Sequence, residues 1–199
     1  LMQQVDQFAA ASTTATPEAW LTYGLRAAIE TNDPAAAARY SLPLVQHYPT
    51  TRNINNAVRV ALQLGGARNG PVMADGMRLL YAANAMTVEN DITNYVMSID
   101  PRLMATEAQR VLQRGAESGV LPASDDFYTS QMAIANERAP GEARSTAQYL
   151  RTAQSSATGL EAYEAGELFL SLGDYAQAET MYALALQKGS QDRGRDLLR

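Results

Sequence analysis

Apolar residues recur at steps of three and four along most of the chain, the period of an amphipathic helix. The pattern is sharpest between Thr158 and Gly189. Ala162, Ala165, Gly166, Phe169 and Leu172 form one stripe, and Tyr175, Ala178, Met181, Tyr182, Ala185 and Leu186 form a second. Gly173-Asp174 separates them. The glycine suits the left-handed residue that closes a helix, and the aspartate, with Gln177 three residues on, suits the cap of the next. Thr158 followed by Glu161 reads as a capping box that opens the first helix. The pattern predicts two short antiparallel helices. Gly166 weakens a helix by about 1 kcal/mol relative to alanine; its expected return is close approach of the two backbones, with Ala165 and Ala178 in the same crossing.

Helix-start signals recur with a beat. Thr16-Pro17-Glu18 joins a capping residue, a proline at the first helical position and an acidic first turn. Asp33-Pro34 repeats the device, and Thr50, Gly70-Pro71, Thr87, Asp100-Pro101, Ser124, Gly141, Thr158 and Asp174 follow. Most steps are sixteen or seventeen residues, and the irregular ones mark insertions. The regular spacing, more than any single cap, predicts a run of helical hairpins. No strand pattern competes; the one alternating run, from Ile54 to Val60, has helical flanks.

The spacing within the hairpins resembles the tetratricopeptide repeat, which carries Trp-x2-Leu-Gly-x2-Tyr, then Ala-x3-Phe, then Pro over 34 residues. The last hairpin matches with Ala162-x2-Ala165-Gly166-x2-Phe169 and Ala178-x3-Tyr182, and departs at Ala162 and Ser190. The first unit, about 17–50, matches with Trp20-x2-Tyr23-Gly24-x2-Ala27 and Ala36-x3-Tyr40, with Pro49 near the terminal proline and the spacing off by one between Ile29 and Asp33. Three degenerate units lie between them. The second, about 51–86, carries Ile54, Val58, Ala61 and Leu62, then Met77, Leu80, Tyr81 and Met86. The third, about 87–123, carries Tyr95, Leu103, Ala108, Val111 and Leu112. The fourth, about 124–157, carries Phe127, Met132, Ala133, Asn136 and Tyr149. The resemblance implies an all-α fold, a right-handed α–α superhelix (a tetratricopeptide-like solenoid) of about five antiparallel helix pairs spanning residues 16–190. Residues 1–15, with Leu1, Met2, Val5 and Phe8, read as the end of a preceding helix and a linker. Residues 191–199 read as the start of a further helix. The chain is therefore expected to be a fragment of a longer protein.

Composition narrows the chemistry. The formal net charge is −5, and the fifteen arginines are scattered, so no basic stripe for nucleic acid is present. The absence of cysteine removes disulfides, thiolate metal sites and cysteine nucleophiles, and leaves periplasm and cytosol equally open. No apolar run reaches the 18 or so residues of a membrane span.

Individual motifs favour plain structural roles. His47 is the only histidine and stands in a predicted last helical turn, where an imidazole meets the favourable end of the helix dipole. Gly65-Gly66-x3-Gly70 follows a helix and lacks the Gly-Lys-Ser/Thr of a phosphate loop. No Gly-x-Ser-x-Gly elbow occurs. Asp125-Asp126 reads as first-turn charge. Glu164 and Glu167 share a helix face without a signal for the raised pKa that acid catalysis requires. No cofactor or metal is expected.

Stacked hairpins line a concave face with the first helix of each pair. The family register places Tyr163, Glu164, Glu167 and Leu170 on that face in the last unit, Leu21, Thr22 and Leu25 in the first, and Glu89, Asn90 and Thr93 in the third. Leu21 and Leu25 stand where some relatives grip a C-terminal carboxylate with lysine and asparagine, so that clamp is not implied. Glu164 and Glu167 would disfavour acidic peptides. The expected function is a non-catalytic scaffold for a protein or peptide. The alternative is the substrate-presenting arm of an envelope polysaccharide-processing enzyme whose catalytic domain lies elsewhere.

Overall fold

Local capping chemistry sets many of the helix boundaries. Asp33 accepts a hydrogen bond from the Ala36 amide at 2.9 Å, Thr50 Oγ1 accepts from the Asn53 amide at 3.2 Å, and Asp174 accepts from the Gln177 amide at 3.2 Å. Each satisfies one of the free N–H groups at a helix start. A computed structural model describes residue 7, residues 15–64 and residues 70–189. Among these residues the chain is all-α, with no strand. The helices are α1 Glu18–Glu30, α2 Pro34–His47, α3 Thr51–Leu64, α4 Gly70–Ala82, α5 Glu89–Ile99, α6 Ala105–Glu117, α7 Asp126–Ser155, α8 Leu160–Leu172 and α9 Tyr175–Gln187. They pack mainly on their neighbours in sequence, as a helical-repeat arrangement does. The expectations for residues 1–6 and 8–14, for the connector 65–69 and for residues 190–199 lie outside the described residues.

The chain divides into two compact units, one up to Ser98 and one from Ile99. In the first, α1 and α2 pair through Leu21, Leu25 and Ala28 against Ala36, Ala37, Tyr40 and Leu44, and Val60 of α3 closes the cluster. Buried Asn53 ties the hairpin to α3: its amide donates to Glu18 Oε1 at 2.9 Å and to the Tyr48 carbonyl at 2.8 Å. Further along, α3 meets the α4–α5 connection through a polar network. Asn55 donates to the Ala85 carbonyl at 2.9 Å, and Arg59 donates to Asn55 at 2.7 Å and to Asp91 at 2.8 Å. Asp91 is buried, and its second oxygen accepts from the Thr87 and Val88 amides at 3.0 and 3.3 Å. Tyr81 and Tyr95 stack edge to face, 6.0 Å between ring centres.

In the second unit, α8 and α9 form the tightest hairpin. Ala153, Ala162, Ala165, Phe169, Ala178, Met181, Tyr182 and Ala185 make its core. Side chains from distant helices satisfy the helix ends. Arg110 of α6 donates to the Ser171 carbonyl at 2.6 Å, at the C-terminus of α8. Lys188, the sole lysine, donates to the carbonyls of Ala153, Gln154 and Ser156 at 2.7, 2.9 and 2.7 Å, at the C-terminus of α7. Its three donors and positive charge match that end of a helix. Glu142 of α7 accepts from the Thr106 amide at 2.8 Å, in the first turn of α6.

Several expected helix starts are displaced. Gly141 opens no helix: α7 runs unbroken for 30 residues through Pro140 and Gly141, so the fourth unit is one long helix and not a hairpin. Asp100 forms a turn with left-handed φ of 53°, and α6 begins only at Ala105. Asp125 caps α7 through the Phe127 and Tyr128 amides, in place of Ser124 and beyond the first-turn charge expected of it. Thr16 makes no cap; it is buried, and its carbonyl accepts from the Tyr48 hydroxyl at 3.2 Å. At Thr87 the cap is reversed, because buried Asp91 reaches back to the backbone. Thr158 spends its hydroxyl on Glu161, at 2.7 Å, so the capping box becomes a side-chain pair and Gly159 takes the cap position.

Candidate functional site

The α8 helix carries the most complete set of expected site residues. Leu160, Tyr163, Glu164 and Glu167 fall at i, i+3, i+4 and i+7, one face of a helix. Leu160 is 54% exposed, Glu164 is exposed, and Tyr163 and Glu167 are half-buried. The opposite face, with Ala162, Ala165, Gly166 and Phe169, is spent on the core. Leu170 is also half-buried and leans on that core.

Tyr182 of α9 shapes this face from behind. Its ring crosses Gly166, and its hydroxyl donates to Glu167 Oε1 at 2.7 Å. Tyr163 tilts against the same ring, 5.9 Å between centres and 53° between planes. Glu167 is thus held in place, whereas Glu164 extends from an exposed position one turn before Leu168. At the start of the helix, Ser156 and Thr158 donate to Glu161 Oε2 at 2.6 and 2.7 Å. These two hydroxyls hold the Glu161 carboxyl below the usual carboxylate range, with a smaller contribution from the charge of Lys188. Three carboxylates therefore follow one another at three-residue steps, Glu164 exposed and Glu161 and Glu167 half-buried, interleaved with Leu160 and Tyr163. The arrangement concentrates negative charge beside an exposed leucine and a half-buried tyrosine.

The other expected residues are placed differently. Glu89 and Asn90 are exposed on α5, and Thr93 is half-buried, its hydroxyl donating to the Asn90 carbonyl at 3.3 Å. Glu89 and Thr93 lie one turn apart on that helix, within the first unit. Leu21 and Leu25 line no surface. Both are 3% exposed in the α1–α2 core, because the apolar stripe of α1 is turned onto α2. Thr22 is exposed and bonds the Glu18 carbonyl of its own helix at 2.8 Å. His47 is exposed in the last turn of α2, its ring edge-on to Tyr48 at 6.5 Å.

Sequence reasoning missed Leu160 and the hydroxyl of Tyr182. Leu160 stands three residues before Tyr163, a spacing that could have found it. Tyr182 belongs to the core stripe of α9, and nothing local marks its hydroxyl for a carboxylate on another helix. Among the described residues, no group of three or more His, Cys, Asp or Glu side chains could hold a metal ion, and no helix is long and apolar enough to cross a membrane. Comparison with protein families, with curated proteins and with solved structures found no match.

Proposed function

We propose that this chain is a non-catalytic scaffold of the tetratricopeptide-like class, with a right-handed α–α solenoid as its fold and a protein or peptide as its partner. Two hairpins support the class. In each, a tyrosine of the second helix packs on a glycine of the first, Tyr40 on Gly24 and Tyr182 on Gly166. The observation that carries the function is the strip of α8 in which Leu160 and Glu164 are exposed on either side of Tyr163, which is half-buried and leans on the core that the other side of the helix fills. A half-buried tyrosine ring beside one exposed and two half-buried carboxylates suits a peptide whose apolar side chains alternate with basic ones.

The test is affinity capture with this chain, wild type against Leu160→Ala and Glu164→Arg. Both positions are exposed, so thermal melting should stay within about 2 °C, since surface substitutions of this kind change stability little. The expected result is loss of the captured partner by both variants at unchanged melting temperature. Undiminished capture of the same partner by both would remove the α8 strip as the site. Glu167 is a poor probe, because it also holds the Tyr182 hydroxyl.

A further inference from the structure

The middle of α7 is built to break, yet it lies in an unbroken helix. Pro140 has no amide hydrogen, so the Asn136 carbonyl loses its helical donor, and the proline ring crowds that carbonyl. Gly141 follows directly. A Cβ placed there would meet nothing within 4 Å, so no close approach calls for a glycine. A Cβ on Gly24, Gly76 or Gly166, by contrast, would stand within 3 Å of a packed side chain. Pro43, also inside a helix, is a different case: it lies near the end of α2 and precedes the buried Leu44. The helix-start beat of the sequence also falls on Gly141.

The two halves of α7 are held unequally. Just after the proline-glycine pair, Glu142 Oε2 accepts from the Thr106 amide and hydroxyl at 2.8 and 2.7 Å. At the far end Ala153 is fully buried with the α8–α9 core, and Lys188 grips the carbonyls of Ala153, Gln154 and Ser156. The first half, residues 126–139, buries Ala135 and meets α6 through an exposed hydrogen bond from Gln109 to Asn136 at 2.7 Å. Thr106 pairs with Glu142 and Gln109 with Asn136, so α6 and α7 run antiparallel. The first half of α7 therefore lies along the second half of α6, whose Val111, Leu112 and Gly115 are buried. Beside the break, Glu142 Oε1 is buried, while Oε2 is held by Thr106.

We infer that α7 is a hinged strap. Residues 126–139 swing about Pro140-Gly141 and uncover the second half of α6, while residues 142–155 stay clamped by Thr106 and Lys188. Proline and glycine lower the cost of bending at this one place, and the clamps decide which half moves.

The absence of cysteine makes the test direct. Spin labels on Ser130→Cys and Gln148→Cys, both exposed positions, stand about 27 Å apart along a continuous helix at 1.5 Å per residue. A right-angled bend at the hinge brings them to roughly 20 Å. Dipolar distance measurement should show both separations in the otherwise native chain, and the long one alone after Pro140→Ala with Gly141→Ala. Amide exchange read on the unlabelled protein should be at least about tenfold faster in residues 128–139 than in residues 143–153. The double substitution should erase that difference. A single long distance with equal exchange in the two halves overturns the hinge, as does a short distance that survives the double substitution.

Discussion

The Tyr182 ring lies across Gly166 so closely that a Cβ on the glycine would stand 2.6 Å from Cε1. Tyr40 has the same relation to Gly24, at 2.8 Å. In both hairpins the tyrosine follows its glycine by sixteen residues, although the turns between the helices differ. The α1–α2 turn uses Thr31-Asn32-Asp33, with Asn32 left-handed at φ 53°, and the α8–α9 turn uses Gly173-Asp174, with Gly173 at φ 79°. The extra residue in the first turn is offset by one residue fewer between the aspartate cap and the tyrosine. The ring-on-glycine contact, and not the turn, is what the two hairpins have in common.

That contact sets the sign of a glycine substitution. In an exposed helix, alanine in place of glycine gains about 1 kcal/mol. Gly166→Ala should instead lose stability, and Gly166→Leu should lose about 1–3 kcal/mol by overpacking. Tyr182 cannot yield cheaply, because it is 2% exposed and its hydroxyl is held by Glu167. Gly141→Ala, with open space at Cβ, should gain about 0.5–1 kcal/mol. Urea denaturation of the variants measures both, and the same sign at Gly166 and Gly141 would contradict the packing account.

Asp91 should be among the costliest single losses in the first unit. It is 1% exposed, accepts two backbone amides and pairs with Arg59 at 2.8 Å. Asp91→Ala leaves those donors without an acceptor and should cost about 2–4 kcal/mol. A double-mutant cycle with Arg59→Ala should show clear coupling. The same cycle on the exposed Arg26–Glu30 pair should show none that is measurable.

Lys188→Met removes three hydrogen bonds from the end of α7 and should cost about 1–2 kcal/mol. Lys188→Arg should recover only part of this, because a planar guanidinium cannot aim three donors at three carbonyls from one point. Amide exchange in the last turn of α7, read residue by residue, should speed up most in the methionine variant.

Glu161 predicts a pH effect. Its carboxyl titrates lower in the folded chain than in the unfolded one, so it contributes stability above the unfolded value of about 4.3. That contribution fades as the pH falls through the lower folded value. Glu161→Gln should therefore be less stable than wild type at pH 6, and the gap should close toward pH 3. A gap that stays constant over this range in denaturant titrations would mean that the Ser156 and Thr158 hydroxyls do not favour the charged form.

Much of the α8–α9 hairpin and part of the site are legible in the residues alone. Gly173 closes a helix because glycine tolerates positive φ, Asp33 and Asp174 cap because their carboxylates reach an amide three residues on, and Gly166 is small because a ring must pass over it. Tyr163, Glu164 and Glu167 are placed on one face by the register of the repeat they resemble. Each of these acts over one or two turns of chain, so its consequence is written locally. Other outcomes were settled by partners far away in the chain. Pro140-Gly141 reads as a boundary, yet α7 continues across it, held by Thr106 and Lys188 from other helices. Leu21 and Leu25 read as facing a groove, yet they point into α2. A helix presents its apolar stripe to whichever neighbour can bury it, and that neighbour's position depends on the packing of the unit. Periodicity marks the stripe, and packing chooses what covers it.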